Sequence, residues 1–374
     1  MMTYKNLFQP FSLKGIPLRS RIVLAPMYIG WYQEDGIPSN WMIELYAKRA
    51  GALVGLSVVE CAAVSEEAKG IPYMLRTDQD RFIPGLARLA RAIEKNGSVP
   101  VLQLYHAGRY GLGERPKAPS AIPCFSAKGG RVTPQALEEK EIQAIVQSFA
   151  DGAKRAMEAG FAGIEIHGAT GYLIVQFLSP RTNKRLDAYG GSLENRARFY
   201  LEIIGAIREA IGKGPLLGCR FMPDEWTEGG FGLHDAKTLA GWLEDSGADY
   251  LSCNAGTYES WARTEIKRVI AKPGYQVDVV HEIKKVSKVP VFTNGRLLTP
   301  DLAESVLCEG KADAVALARP LFADPEFALK AFEGREEEIV ACRGDGLCTR
   351  QVQAGKWAVC SQWKEAPWGL RGKR

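Results

Sequence analysis

No stretch of this chain approaches the roughly eighteen consecutive apolar residues of a membrane-spanning helix, so no membrane partner is expected. The first residues, MMTYKNLFQPFSLKG, lack a basic segment followed by an apolar one, and no signal peptide is predicted. No block of Lys or Arg occurs. The net charge of +5 over 374 residues is small and dispersed, which argues against nucleic acid as a partner. A mild positive bias does suit phosphorylated or carboxylated small molecules. No 20–50-residue repeat stands out. No G-x-G-x-x-G follows the first candidate strand, which weighs against a doubly wound dinucleotide-binding sheet. Cysteine is sparse along most of the chain. Cys61, Cys124, Cys219, Cys253 and Cys308 are scattered, mostly within apolar runs, and read as thiols in a reducing cytoplasm rather than as a disulfide framework.

What is present is an ordinary globular composition, 46% hydrophobic and 24% charged, with ample chain for a large core. Short apolar, β-branched runs alternate with longer amphipathic ones. Eight candidate strands fall at 21–27, 54–64, 99–106, 163–168, 216–222, 249–254, 289–294 and 313–318. Helical patterns between them include 82–96, 134–159, 193–212, 234–246, 276–287 and 300–309. Thr133-Pro134, Ser192 and Thr299-Pro300 read as helix starts; Gly97, Gly160, Gly247 and Gly310 read as stops. The strands are almost continuously apolar, as expected when both faces are buried. The pattern predicts an α/β protein, a closed (βα)8 barrel over residues 1–335, with a Cys-containing extension over 336–374 packed on it. The low-propensity stretches 108–132, 179–191 and 227–232 are long enough to line a site.

In such a barrel the C-terminal strand ends form the active face. Here those ends are polar: Pro26-Met27-Tyr28, Glu60-Cys61, Gln103 with His106, His167, Arg220, Asn294-Gly295-Arg296 and Ala318-Arg319. The last two groups supply a close backbone approach and two forked donors after strands seven and eight, where this fold commonly holds phosphate. Gln103 and Arg220 offer a bidentate amide and a fixed cation to a planar heterocycle. A phosphate grip beside a ring clamp suggests FMN, whose reduced form carries negative charge at N1.

The segments RIVLAPM, LQLYHAGR, HGATGYLIVQFLSPRTNKRLDAYGGSLENRARF, VFTNGRL and ALARPLFADP occur in that order over nearly the whole chain. Together they resemble the old yellow enzyme family of FMN-dependent ene-reductases, in particular the branch of 2,4-dienoyl-CoA reductase and related iron-sulfur flavoenzymes. The resemblance implies that Pro26, Met27, Cys61, Asn294 and Ala318 line the flavin and that Gln103 meets its pyrimidine edge. Arg220 would sit near N1, and Gly295, Arg296 and Arg319 would grip the phosphate. It implies that His167 and the residue three later, Thr170, bind the substrate's activating carbonyl, and that Tyr172 protonates the α-carbon. Where the branch has an assisting His after strand six, this chain offers Tyr258. Tyr28 and Trp31 stand where relatives tune the flavin, and are expected in the substrate pocket. Thr170 is a shorter donor than the usual His or Asn; packing alone is its other reading.

The expected activity is reduction of an activated C=C bond of a flat or polycyclic small molecule, with electrons from NAD(P)H or from a donor protein. A homo-oligomer is expected. The alternatives are dehydrogenation or demethylation on the same scaffold, or an electron-transfer subunit. The last alternative draws on the segment CRGDGLCTRQVQAGKWAVC. The iron-sulfur branch has four cysteines here; this chain has Cys342, Cys348 and Cys360, with Asp345 at the second position. A four-iron four-sulfur cluster, a zinc ion and no metal at all are the three readings of that set.

Overall fold

In the computed structural model, which describes residues 3–125 and 129–363, eight parallel strands close on themselves. They are β1 (Ile22–Leu24), β2 (Leu56–Ala63), β3 (Val99–Tyr105), β4 (Gly163–Gly168), β5 (Leu216–Phe221), β6 (Tyr250–Cys253), β7 (Val291–Thr293) and β8 (Ala314–Leu317). β8 pairs with β1 and β1 with β2, which completes the barrel. The (βα)8 barrel read from the alternating pattern is therefore the fold. Around it lie α1 (Asn40–Gly51), α2 (Ile83–Lys95), α3 (Glu139–Glu158), α4 (Leu193–Ile211), α5 (Leu233–Asp245), α6 (Val277–Lys284), α7 (Pro300–Cys308) and α8 (Phe327–Glu333).

The elements follow from local chemistry. All six residues of β5 are buried, as both-face burial demands. α2 buries Leu86, Leu89, Ala90 and Ile93, one stripe at helical spacing. Ser192 and Thr299 accept from the backbone N–H groups of Asn195 and Leu302, so both predicted caps form. Thr133-Pro134 does not start a helix. Gln135–Ala136 pairs as a short strand with Lys117–Ala118 instead, and α3 begins at Glu139 behind a Glu138/Glu141 capping box.

The barrel interior holds Val23, Val58, Val101, Leu216, Tyr250, Phe292 and Ala314, packed with Leu13 and Leu18 of the hairpin Phe11–Leu13/Ile16–Leu18. That apolar layer fills one end and leaves the other for polar chemistry. A register shift in β2 between Val59 and Ala62 takes Glu60 outward, onto Tyr32 and onto Tyr46 of α1, while Cys61 stays at the barrel mouth.

The tail returns over the loop after β1. Ala358 N–H donates to Ile29 and accepts at its carbonyl from Trp31 Nε1 at 2.9 Å. Trp363 Nε1 donates to Ala323, and Trp31, Trp357, Trp363 and Phe322 pack ring on ring. Residues 364–374 of the predicted extension lie outside the described residues. Among the described residues, no helix is long and apolar enough to cross a membrane.

Candidate active site

A cavity of about 360 Å³ opens at the C-terminal ends of the strands, within the size range of cofactor and ligand sites. Pro26, Met27, Tyr28, Cys61, Gln103, His167, Thr170, Tyr172, Arg220, Tyr258, Asn294, Gly295, Arg296, Ala318 and Arg319 all line it. One chain segment after another delivers them, so residues nearly 300 positions apart share one wall.

On the floor, Gln103 of β3 donates from Nε2 to Glu165 of β4 at 2.7 Å. Arg220 of β5 donates to Ser252 Oγ at 2.8 Å and to Asn254 Oδ1 at 3.1 Å. Burial lowers the pKa of this guanidinium, and Glu165 opposes the shift. It is a positioned cation with further N–H donors in the mouth. Cys61 also lines the cavity, but burial and then the Glu60 charge push its thiol up, so it is no nucleophile at neutral pH.

At the β7 and β8 ends, Gly295 has φ +106, and a Cβ there would come within 2.8 Å of Gln276. Only glycine allows the backbone this path. Arg296 follows with φ +57, and its buried Nε has no partner among the described residues. A strained arginine with an orphaned donor beside Arg319 suits an anion such as a phosphate. Asn294 lines the cavity, but its amide is already engaged: Oδ1 accepts from Gln276, and Nδ2 donates to the Cys253 carbonyl. Its role is to hold the β6 and β7 ends together, and its backbone is what it offers a ligand.

A further wall comes from His167 of β4 and the chain after it. His167 Nδ1 accepts from Ala169 N–H at 3.4 Å, which leaves Nε2 as the donor. Burial, then the Arg220 charge, lowers its pKa to about 3, so the ring is neutral at ordinary pH. Thr170 has φ +67 and bridges to Thr257. Its hydroxyl oxygen accepts from Asn254 Nδ2 at 3.4 Å, a long contact that leaves the O–H as a donor. Tyr172 stands edge-on to Tyr105 and His167, with ring centroids 4.5 and 4.9 Å away, and its phenol lies 2.7 Å from that of Tyr258.

One expected placement fails, and two of the three readings of the tail find no support among the described residues. Trp31 is fully buried and turned into the tail, held by the Ala358 carbonyl, and does not line this cavity. Cys342, Asp345, Cys348 and Cys360 do border one small cavity, of about 20 Å³. Yet among the described residues no three His, Cys, Asp or Glu groups are placed to hold a metal ion. The Asp345 carboxylate accepts from Leu347 N–H and from the Ser361 hydroxyl, which commits it to the turn. The described residues of the tail do not present the ligand set that the resemblance implies.

Some lining residues went unpredicted. Asn254 directly follows β6, and its signal is a polar residue at that strand end, in CNAG. Trp261 and Tyr275 come from the segment between β6 and β7. Cys348 and Thr349 enter from the tail helix Leu347–Gln353, which no local pattern could assign to the barrel mouth.

The profile of the NADH:flavin oxidoreductase / NADH oxidase family matches residues 6–338. The chain is 41% identical to an NADH oxidase of Thermoanaerobacter brockii over 387 aligned positions, covering 98% of this chain and 59% of that protein. It is 39% identical to an NADPH dehydrogenase of Halalkalibacterium halodurans, covering 87% and 94% respectively. Among solved structures it superposes on a 2-naphthoyl-CoA reductase in complex with 2-naphthoyl-CoA, with a TM-score of 0.90 and 29% identity over 96% of this chain and 57% of that one. The chain thus spans little more than half the length of the first and third of these proteins and nearly all of the second.

Proposed function

The chain belongs to the NADH:flavin oxidoreductase / NADH oxidase family, the old yellow enzyme group, and on that ground we propose that it is an FMN-dependent, NAD(P)H-oxidising reductase of activated C=C bonds. The fit to FMN rests on the floor and the far wall of the cavity. Gln103 and Arg220 suit the polar edge of a flat ring, and Gly295, Arg296 and Arg319 suit its phosphate. Bound FMN would supply the hydride, taken from the nicotinamide and given to the β-carbon of the substrate.

The protein's own residues do the rest. The neutral His167 Nε2–H and the Thr170 hydroxyl donate to the carbonyl oxygen conjugated with the C=C bond, where negative charge develops. Tyr172 gives its phenolic proton to the α-carbon. Tyr258, 48% exposed and in contact with Tyr172, connects that proton to solvent. Aromatic walls from Tyr28, Tyr172, Tyr258, Trp261 and Tyr275 favour a flat acyl or polycyclic group by stacking. The naphthoyl ligand of the structural relative supports the same class.

The observation that carries the proposal is that Gln103, Arg220, His167, Thr170 and Tyr172 line one cavity. Anaerobic half-reactions test it. Reduction of the FMN-loaded protein by NADH or NADPH, followed by reoxidation with an aromatic enone or an enoyl thioester, is the expected result. Reduction of the flavin by an amine or a saturated donor, and not by NADH or NADPH, would assign it instead to dehydrogenation or demethylation. Reduction only through a separate reductase would assign it to an electron-transfer subunit.

A further inference from the structure

Glu165 is a buried carboxylate for which the reaction above has no use. It lies opposite Gln103 in the β3–β4 register and opposite Gly218 in the β4–β5 register. It is fully buried and does not border the cavity; Gln103 stands between. Its Oε1 accepts from Gln103 Nε2 at 2.7 Å, the one hydrogen bond the Gln103 side chain makes among the described residues. Its Oε2 has no partner within ordinary hydrogen-bond geometry among the described residues. Gly218 leaves room for the Tyr250 ring, since a Cβ there would lie 2.0 Å from it, and this brings the Tyr250 phenol toward the carboxylate. Burial raises the Glu165 carboxyl; Arg220, Gln103, Tyr250 and Ser252 all favour its charged form.

We infer that Glu165 is a positioning residue for the flavin: by accepting from Gln103 Nε2 it fixes which end of that amide faces the cavity. The inference rests on the FMN reading of the site. A carboxylate only accepts, so the amide nitrogen must turn toward it. The Gln103 carbonyl oxygen and the second N–H are then left for the ligand. The imide edge of a flavin reads acceptor, donor, acceptor through C2=O, N3–H and C4=O. An amide held this way meets N3–H with its oxygen and a neighbouring carbonyl with its N–H. Turned over, it would set donor against donor in a site closed to water, which costs more than a missing bond. A second role, as counter-ion to Arg220, would act on the flavin's charge and not on N3–H. The two are therefore separable by experiment.

Apoprotein of wild type, Gln103→Ala and Glu165→Gln is titrated with FMN and with N3-methyl FMN, following flavin fluorescence. Wild type is expected to prefer FMN by about ten-fold, the size of one well-made hydrogen bond. The preference falls to about two-fold or less in Gln103→Ala. It falls likewise in Glu165→Gln, because a neutral amide both donates and accepts and dictates nothing. The exchange Gln103→Glu with Glu165→Gln restores the preference at N3 but not the overall affinity, since a donor again faces an acceptor and an oxygen again faces N3–H while the N–H to the neighbouring carbonyl is lost. A Glu165→Gln protein with the wild-type preference, whatever its flavin reduction potential, overturns the inference and leaves a counter-ion. Should that variant yield no folded barrel, the exchanged pair decides, and a lost preference there overturns the inference. FMN binding with an unchanged preference sinks this inference alone; a wild-type chain that binds no FMN sinks it together with the flavin reading.

Discussion

The phenol oxygens of Tyr172 and Tyr258 lie 2.7 Å apart, although β5 and β6 separate the two residues in the chain. Tyr172 opens the short helix Leu173–Leu178 after β4, and Tyr258 opens another, Tyr258–Ala262, after β6. The Thr170–Thr257 bridge holds the two loops together. A donor facing the cavity is thereby joined to one that meets solvent.

Tyr172→Phe should leave flavin reduction by NAD(P)H near wild type and slow substrate reduction by about 10²-fold, the range of a lost general acid. Tyr258→Phe should slow the same half-reaction by less, about ten-fold, because Tyr172 keeps its proton but not its link to solvent. Stopped-flow traces of both half-reactions check this. Equal rates for all three proteins in the second half-reaction would remove both phenols from the chemistry.

The proposed carbonyl donors can be told apart from the proposed acid by binding alone. Phenols mimic the oxyanion of an enolate. His167→Ala and Thr170→Val should each weaken a para-substituted phenol by about ten-fold, one hydrogen bond's worth. Thr170→Val keeps the β-branched shape but is strained at φ +67, so its thermal stability is measured alongside. Unchanged phenol affinity in a stable Thr170→Val protein would return Thr170 to packing.

Most of the site was readable because a (βα)8 barrel converts strand ends into a single face. Once eight strands are recognised, Gln103, His167 and Arg220 must converge, whatever their separation in sequence. What was not readable depends on contacts without a local period. Trp31 looked like a pocket wall because it follows β1, but the returning tail offers it a buried acceptor at Ala358. Asn294 lines the cavity, but the claim of Gln276 on its amide has no signal in the local sequence. The outward turn of Glu60 comes from a bulge, which the apolar run of β2 did not signal.

The tail makes a prediction of its own. Trp31 Nε1 to the Ala358 carbonyl, with Ala358 N–H returned to Ile29, pins the segment that carries Cys348 and Thr349 into the cavity. Trp31→Phe keeps an aromatic ring but strands the Ala358 acceptor. A loss of about 1–3 kcal/mol in stability is expected from the unpaired group and the smaller ring. FMN affinity should fall with it, and limited proteolysis should cut the tail sooner than the barrel. A Trp31→Phe protein with wild-type FMN affinity and unaltered tail protection would separate the tail from the flavin site.

The last prediction concerns Glu60, fully buried behind Cys61, where it accepts from Ile29 N–H and from the Tyr32 hydroxyl. Burial raises its pKa to about 8, with the two hydrogen bonds opposing the shift. The titratable groups around it are Tyr28, Tyr32, Tyr46 and Cys61, all pushed upward by burial and by the Glu60 charge itself, so they stay neutral in this range. Arg49, lowered to about 9 by burial, is common to wild type and variant and cancels in a difference. The sign follows from linkage. With the folded pKa above the unfolded one, the folded state holds a proton that the unfolded state has released. Stability is full below about 4.5, is lost as pH rises, and stops falling above about 8. Glu60→Gln mimics the protonated carboxyl and cannot ionise. Its unfolding free energy relative to wild type should therefore rise with pH between 5 and 8, by up to about 1.4 kcal/mol per unit, and level off beyond. Urea titrations of both proteins across that range measure the difference. A difference that does not change with pH would mean that Glu60 is already ionised in the folded protein.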